Sequence, residues 1–172
     1  FWIKETTKIK AYVLGGPNLQ SKSIIGTFRK RDKNTKVISI TEFANEYSGG
    51  GDQALIDGIT GGNDFKTGFW QAVQGEDYKV VISLGESRDV GTIEIGCFQD
   101  IKSWIWLPDN IEVYVSDNGS DFTKVSTLYH KMPIDKYGPH RYQFFGKIGK
   151  NASHVKIIAR NRGDCPDWHL GA

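Results

Sequence analysis

An all-β fold, a sandwich or barrel of short antiparallel strands, is what this chain predicts, on three observations. Apolar residues recur at alternate positions, Ile93, Ile95 and Cys97 in one run and Ile111, Val113 and Val115 in another. That is the period of a strand buried on one face. Each run is bounded by Gly, Pro, Asp or Asn, the residues of turns. No apolar pattern of helical period runs longer than about ten residues, so no helix is expected. Five Trp, seven Tyr and nine Phe against a single Met lean the same way, since aromatic side chains favour strands.

The first strand is expected over 6–14, where Ile9, Ala11 and Val13 alternate with polar residues. Gly15-Gly16-Pro17-Asn18 breaks it, and 23–28 forms the returning strand. A two-stranded hairpin is too small to be stable alone. The polar stretch 29–35 reads as a linker, which divides the chain into a hairpin with linker over 1–33 and a larger β domain over 34–172. Within that domain, strands are expected over 79–85, 91–96, 110–116, 141–145 and 154–159. Strands of this length, separated by turns, build sandwiches and barrels.

Composition narrows the function. The formal charge of the 172 residues is +2 and the basic residues are scattered. The one basic cluster, Arg29-Lys30-Arg31 with Lys33, reads as a solvated linker, so nucleic acid is not an expected partner. No apolar run reaches membrane-spanning length, and membrane insertion is not expected. The chain opens on Phe1-Trp2-Ile3-Lys4 without an initiator Met, which suggests a piece of something larger. Cys97 and Cys165 have no further cysteine at metal-ligand spacing, which argues against zinc. Two free thiols, at least one of them buried, are expected, with one disulfide the alternative.

Catalytic patterns are not found. The histidines 130, 140, 154 and 169 form no His-x-x-x-His or His-Glu-x-x-His spacing. There is no Gly-x-Ser-x-Gly elbow. The glycines of Gly58-Ile59-Thr60-Gly61-Gly62 lack the lysine of a phosphate-binding loop. Asp100 and Asp167 could be imagined as a glycosidase pair, but their separation cannot be read from sequence.

The stretch Gly49-Gly50-Gly51-Asp52-Gln53-Ala54-Leu55-Ile56-Asp57-Gly58, with Trp70-Gln71 beyond it, reads as a loop. Glycine permits sharp turns there. Asp57 offers a hard carboxylate oxygen of the kind calcium takes alongside backbone carbonyls. An ordinary Asx-turn is the other reading of Asp57.

Those residues begin an ordered series. After Ala54-Leu55-Ile56-Asp57-Gly58 and Phe69-Trp70-Gln71 comes a hydrophobic strand ending in Leu84-Gly85. The alternating strand Gly91-Thr92-Ile93-Glu94-Ile95-Gly96-Cys97 follows, and then Ser103-Trp104-Ile105-Trp106-Leu107-Pro108. A strand ending in Ser116-Asp117-Asn118-Gly119 precedes an aromatic, and the series closes on Cys165-Pro166-Asp167-Trp168-His169. In this order the chain resembles the discoidin, or coagulation factor 5/8 type C, domain, in the version attached to bacterial family-20 β-hexosaminidases (chitobiases). The hairpin over 1–33 resembles the final strands of the small sandwich module that follows such enzymes.

The resemblance implies a galactose-binding-like jelly roll over 34–172. It also implies a non-catalytic carbohydrate-binding module appended to a glycoside hydrolase that is periplasmic, cell-surface or secreted. Its partners would be a hexosamine or galactose-type glycan and the catalytic domain of the parent enzyme. It implies a structural Ca2+ held by Asp57 and the carbonyls of Ala54, Ile59 and Gly62. The family's last acidic ligand falls beyond Gly171-Ala172, where the sequence ends. By motif, ligand contacts fall on Gln71, Gln99, Asp100, Trp104, Trp168 and His169. Galactose binders carry a histidine and an arginine where Gln71 and Gln99 stand, so galactose itself is not implied.

Each aromatic has a plainer reading. Trp70 reads as a core residue plugging the sandwich end. Trp104 and Trp106 share one face if their segment is extended, and His169 reads as a hydrogen-bonded loop side chain. A structural or protein-interaction module that has lost its sugar site is the second functional reading.

Overall fold

In the computed structural model the chain divides into two compact units, Phe1–Lys33 and Asn34–Ala172. The structure describes residues 3–16, 19–28, 30 and 32–171. Phe1 and Trp2, Pro17 and Asn18 of the hairpin loop, Arg29 and Arg31 of the basic cluster, and Ala172 lie outside the described residues.

In the first unit, β1 (Thr7–Ala11) leads through β2 (Leu14–Gly16) and β3 (Leu19–Gln20) to β4 (Ile24–Phe28). β1 pairs antiparallel with β4, and β2 with β3. The strand expected over 6–14 is interrupted after Ala11, where the Val13 amide donates to the Ser21 hydroxyl at 2.9 Å. Alternation does not bury this hairpin within its own unit, for Val13, Ile24 and Phe28 are all exposed.

The second unit consists of β5 (Lys36–Ile40), β6 (Tyr78–Gln99), β7 (Asn110–Ser116), β8 (Thr123–Tyr129) and β9 (His140–Ala159), joined antiparallel in the order β5-β6-β9-β7-β8. β6 and β9 are longer than expected. The strands anticipated over 79–85 and 91–96 are one strand, as are those over 141–145 and 154–159. The reason is that glycines do not end these strands. The β6–β9 register shifts between Ser83 and Arg88 and between Val90 and Thr92, and such irregularities bend a strand rather than stop it. β5 and β8 are strands the sequence reading left out.

The bends make two layers of one ribbon. Val80, Ile111, Val113, Val155 and Ile157 form one side of the core, and Phe144 with Ile93, Ile95, Tyr142 and Ile148 the other. At Gly146 the layers nearly touch, since a Cβ there would fall 2.7 Å from Leu128 Cδ2. The chain is therefore an antiparallel β-sandwich with no α-helix among the described residues, only 3-10 turns. No helix is long and apolar enough to cross a membrane. Cys97 and Cys165 are both free, and burial pushes the Cys97 thiol up to about 12.

Pairing fixes which loops meet. Tyr78 lies opposite Ala159, Ala159 opposite Ile111, and Asn110 opposite Tyr129 in one layer, while Gln99 lies opposite His140 in the other. The two layers meet at this end, where Trp70 before Tyr78 packs against Phe98 with ring centroids 5.3 Å apart. The loops 41–77, 100–109, 130–139 and 160–171 thus gather at one end.

An ionic group braces that end. Arg160 binds Asp77 (Nη1–Oδ2, 2.6 Å) and Glu112. Glu112 also receives Lys124 and the Tyr114 hydroxyl, and the Asn161 amide donates to Asp77 Oδ1 at 2.8 Å. Hydrogen bonding from Lys124 first, then from Arg160 and Tyr114, holds the Glu112 carboxyl down at about 2 against the opposing effect of burial.

Candidate functional site

The loop over 41–77 is closed upon itself. Gln71 uses its amide twice: Nε2 donates to the Gly51 carbonyl at 2.8 Å, and Oε1 accepts from the Tyr78 hydroxyl at 2.5 Å. Its backbone also bridges to Ser48. One amide N–H and one carbonyl lone pair are thereby committed to the loop's own closure. Trp70 donates from Nε1 to the Gly62 carbonyl at 3.2 Å and packs its ring against Phe98, with centroids 5.3 Å apart. Gly61 lies so close that a Cβ would fall 2.2 Å from Trp70 Cε2. Trp70 is a half-buried plug, packed against Gly61 and Phe98.

The expected calcium donors are in the same loop. Asp57 Oδ1 accepts from the Ile59 amide at 2.7 Å, an Asx-turn. The Ala54 carbonyl accepts from the Asp57 amide, and that of Gly62 from Trp70. Among the described residues, Asp57 Oδ2 and the Ile59 carbonyl are the oxygens of the set without a hydrogen bond. Calcium takes six to eight oxygens, and among the described residues no three of His, Cys, Asp and Glu stand together.

Gln99 is 1% exposed, and its amide donates to the Pro133 carbonyl at 3.0 Å. The period that turns Ile93, Ile95 and Cys97 inward turns Gln99 inward as well. It pins the 130–139 loop from beneath, at Pro133.

Beyond Gln99 the chain makes a tight turn. Asp100 and Ile105 exchange backbone hydrogen bonds, N to O at 2.9 Å and 3.2 Å. Asp100 Oδ2 accepts from the Ser103 hydroxyl at 3.0 Å, and Oδ1 has no partner among the described residues. After the 3-10 turn Ile101–Ser103, Trp104 caps with φ 62°, the one non-glycine positive φ among the described residues. For a bulky side chain this conformation costs about 1–3 kcal/mol. Trp104 is 57% exposed. Because the segment is a turn and not extended, Trp104 and Trp106 do not share a strand face. Trp106 is half-buried and donates to the Ile134 carbonyl at 3.3 Å.

The C-terminal segment completes the site. His169 is 8% exposed. Its Nε2 lies 2.8 Å from the Ile101 carbonyl, and its Nδ1 accepts from the Gly171 amide at 3.3 Å. These partners place the ring proton on Nε2. Both nitrogens are engaged, so His169 is a post and not a ligand contact. Three indoles stand edge-on around it: Trp104 at 5.5 Å, Trp106 at 5.2 Å and Trp168 at 5.9 Å. Trp168 is 45% exposed. Gly171 backs the Trp104 ring, where a Cβ would fall 1.8 Å from Cζ2.

The structure therefore brings Asp100, Trp104, Trp168 and His169 together, buries Gln99 beneath them and ties Gln71 into a separate network. The sequence reading missed the part of Trp106 and Gly171 in the cluster. The spacing of Trp104 and Trp106 drew notice, but nothing in the sequence says that both would meet a histidine 63 or more residues on.

No protein-family model matches the chain, and no curated protein does. Solved structures do. The family 32 carbohydrate-binding module of NanJ from C. perfringens, in complex with galactose, is 14% identical over 74% of this chain and 83% of its own, with a TM-score of 0.46. The C-terminal domain of a chitobiase from Bacteroides fragilis is 15% identical over 76% and 83%, with a TM-score of 0.45. The family 32 module of EndoD from Streptococcus pneumoniae is 15% identical over 78% and 87%, with a TM-score of 0.43. Carbohydrate-binding modules and a chitobiase domain are the kinds of protein that the sequence motifs resemble, and the likeness is one of fold.

Proposed function

We propose that the unit over 34–172 is a non-catalytic carbohydrate-binding module whose contact surface is Trp104 and Trp168. One observation carries this reading. Two tryptophans are held half-exposed around a buried imidazole, one of them in a backbone conformation that disfavours any large side chain. Strain that the rest of the structure enforces at an exposed aromatic is a mark of function. A sugar presents an apolar C–H face that stacks on an indole, and hydroxyls that donate to carboxylates. Asp100 Oδ1 and the exposed Asp167 supply acceptors beside the rings. The galactose in the C. perfringens complex supports a hexose or hexosamine as ligand. Attachment to the catalytic domain of a chitobiase-like glycoside hydrolase outside the cytoplasm belongs to the same proposal.

A glycan array on the whole chain, followed by amide-shift titration, tests it. Ligand-induced shifts at 100–106 and 165–171 are the expected result. If no glycan moves these signals, the protein-interaction reading takes its place.

A structural calcium on Asp57 is a separate part of the proposal, supported by the unpartnered Oδ2. Melting with calcium and with chelator should differ in the wild type, and Asp57→Ala should remove the difference. Identical wild-type melts would end this part alone.

A further inference from the structure

We infer that the surface recognises two linked sugar residues, one on each exposed indole, rather than a single terminal ring. This rests on the carbohydrate-binding reading above. Trp104 and Trp168 each lie edge-on to His169, at interplanar angles of 81° and 71°. Among the described residues the two indoles make no ring contact with each other. Their centres are thus separated by more than a ring contact, yet by no more than their two distances to the shared imidazole taken end to end. One pyranose stacks on one indole. A second ring joined to it reaches the other.

The surroundings agree. Gly171 packs closely against the Trp104 ring, more than half of which is still exposed. Trp168 and Asp167 are exposed beside it. His169 fixes the spacing, because its two hydrogen bonds set the imidazole and the imidazole sets both indoles. Linking two rings makes the second contact intramolecular, so the gain comes from effective concentration without any new kind of contact.

The experiment is calorimetric titration of the whole chain with galactose, N-acetylgalactosamine and N-acetylglucosamine. The same titrations use N-acetylgalactosamine-β1,3-galactose and the β1,4-linked dimer of N-acetylglucosamine. At least one disaccharide should bind tenfold or more tightly than either of its monosaccharides. Trp104→Ala and Trp168→Ala should each bring that disaccharide down to the monosaccharide level. Trp104→Phe and Trp168→Phe, which keep a ring, should retain most of the gain. Equal binding of monosaccharide and disaccharide overturns the two-ring inference and leaves the carbohydrate reading intact. So does a disaccharide advantage that survives loss of either indole. Binding of none of the five sugars, by a chain whose melting shows it folded, overturns both.

Discussion

Two aromatic clusters occupy the same end of the sandwich and have opposite characters. Around Phe98, the rings of Phe65 and Trp70 meet face-tilted, and the Trp70 N–H is bonded inward to Gly62. Around His169, three indoles stand edge-on, and two of them keep large exposed areas. Both segments mix tryptophan with Gln, Asp and glycine, and in sequence they look alike. What separates them is where the hydrogen-bonding atoms are engaged. In the first cluster the aromatic's own N–H and the neighbouring Gln71 amide close the loop. In the second the closing bonds belong to His169, Gln99 and Trp106, which leaves Trp104 and Trp168 unencumbered. Aromatic content marks a loop, and the direction of its polar atoms decides whether it is a plug or a surface.

The sharpest way to break this contrast is to truncate one ring from each cluster. Trp70→Ala should destabilise the unit by roughly 3 kcal/mol, as expected for an aromatic removed from a packed site. Trp168→Ala should shift the melting temperature little while bringing disaccharide binding down to the monosaccharide level. Denaturant curves giving the same loss for both would make the two clusters equivalent and remove the distinction.

Next in size is Gln99. Gln99→Ala leaves the Pro133 carbonyl without its buried donor and should cost about 1–3 kcal/mol, with glycan contacts weakened only through the displaced 130–139 loop. A Gln99→Ala protein of wild-type stability that cannot bind would restore Gln99 as a ligand contact.

A smaller effect should come from the backbone of Trp104. Glycine relieves a left-handed conformation by about 1–2 kcal/mol relative to a residue with a Cβ. Trp104→Gly should therefore be more stable than Trp104→Ala by about that amount, with both reduced to monosaccharide-level binding. Equal stability in urea would show that φ at this position is not enforced.

The smallest effect is on pH. Glu112 titrates near 2 in the folded protein, below the ordinary glutamate value of about 4.3. Its contribution is full above that ordinary value and is lost as pH falls through about 2. Asp77 is displaced in the same direction, chiefly by the Asn161 amide and helped by Arg160. Glu112→Gln should flatten the stability profile between those limits and leave glycan binding at neutral pH unchanged. Loss of binding in that variant would tie the ionic brace to the open cluster.

The architecture was legible wherever period two met a buried face. Asn110–Ser116 is the strand the alternation predicts, and Ile111 and Val113 are wholly buried. The same rule carried one residue further than it was applied, to Gln99, whose inward position follows from Ile93, Ile95 and Cys97. β5 and β8 are not predicted because their apolar residues lack period two: Val37 and Ile38 are adjacent in β5, and Val125 and Leu128 are three apart in β8. In the site, Trp168 and Trp104 were legible as aromatics in polar loops. His169's part was not, since its partners are the carbonyl of Ile101 and three rings brought together only by the closed sandwich. Asp57 shows the limit of motif reading: one carboxylate beside glycine is the same in sequence whether it caps a turn or holds an ion.

The continuous strands β6 and β9 bear on how the molecule is made. Their partners nearest in sequence are Gln99 and His140, and the farthest are Tyr78 and Ala159. Between the nearest pair lies the β7–β8 hairpin, which can form locally before any long loop closes. The segment bearing Trp168 and His169 follows Ala159, and its anchor, the Ile101 carbonyl, lies just past Gln99. It can dock only after the whole ribbon has zipped. During refolding, strand signals should mature first and the indole environment last, so that a bound glycan would select only chains that have completed every earlier step.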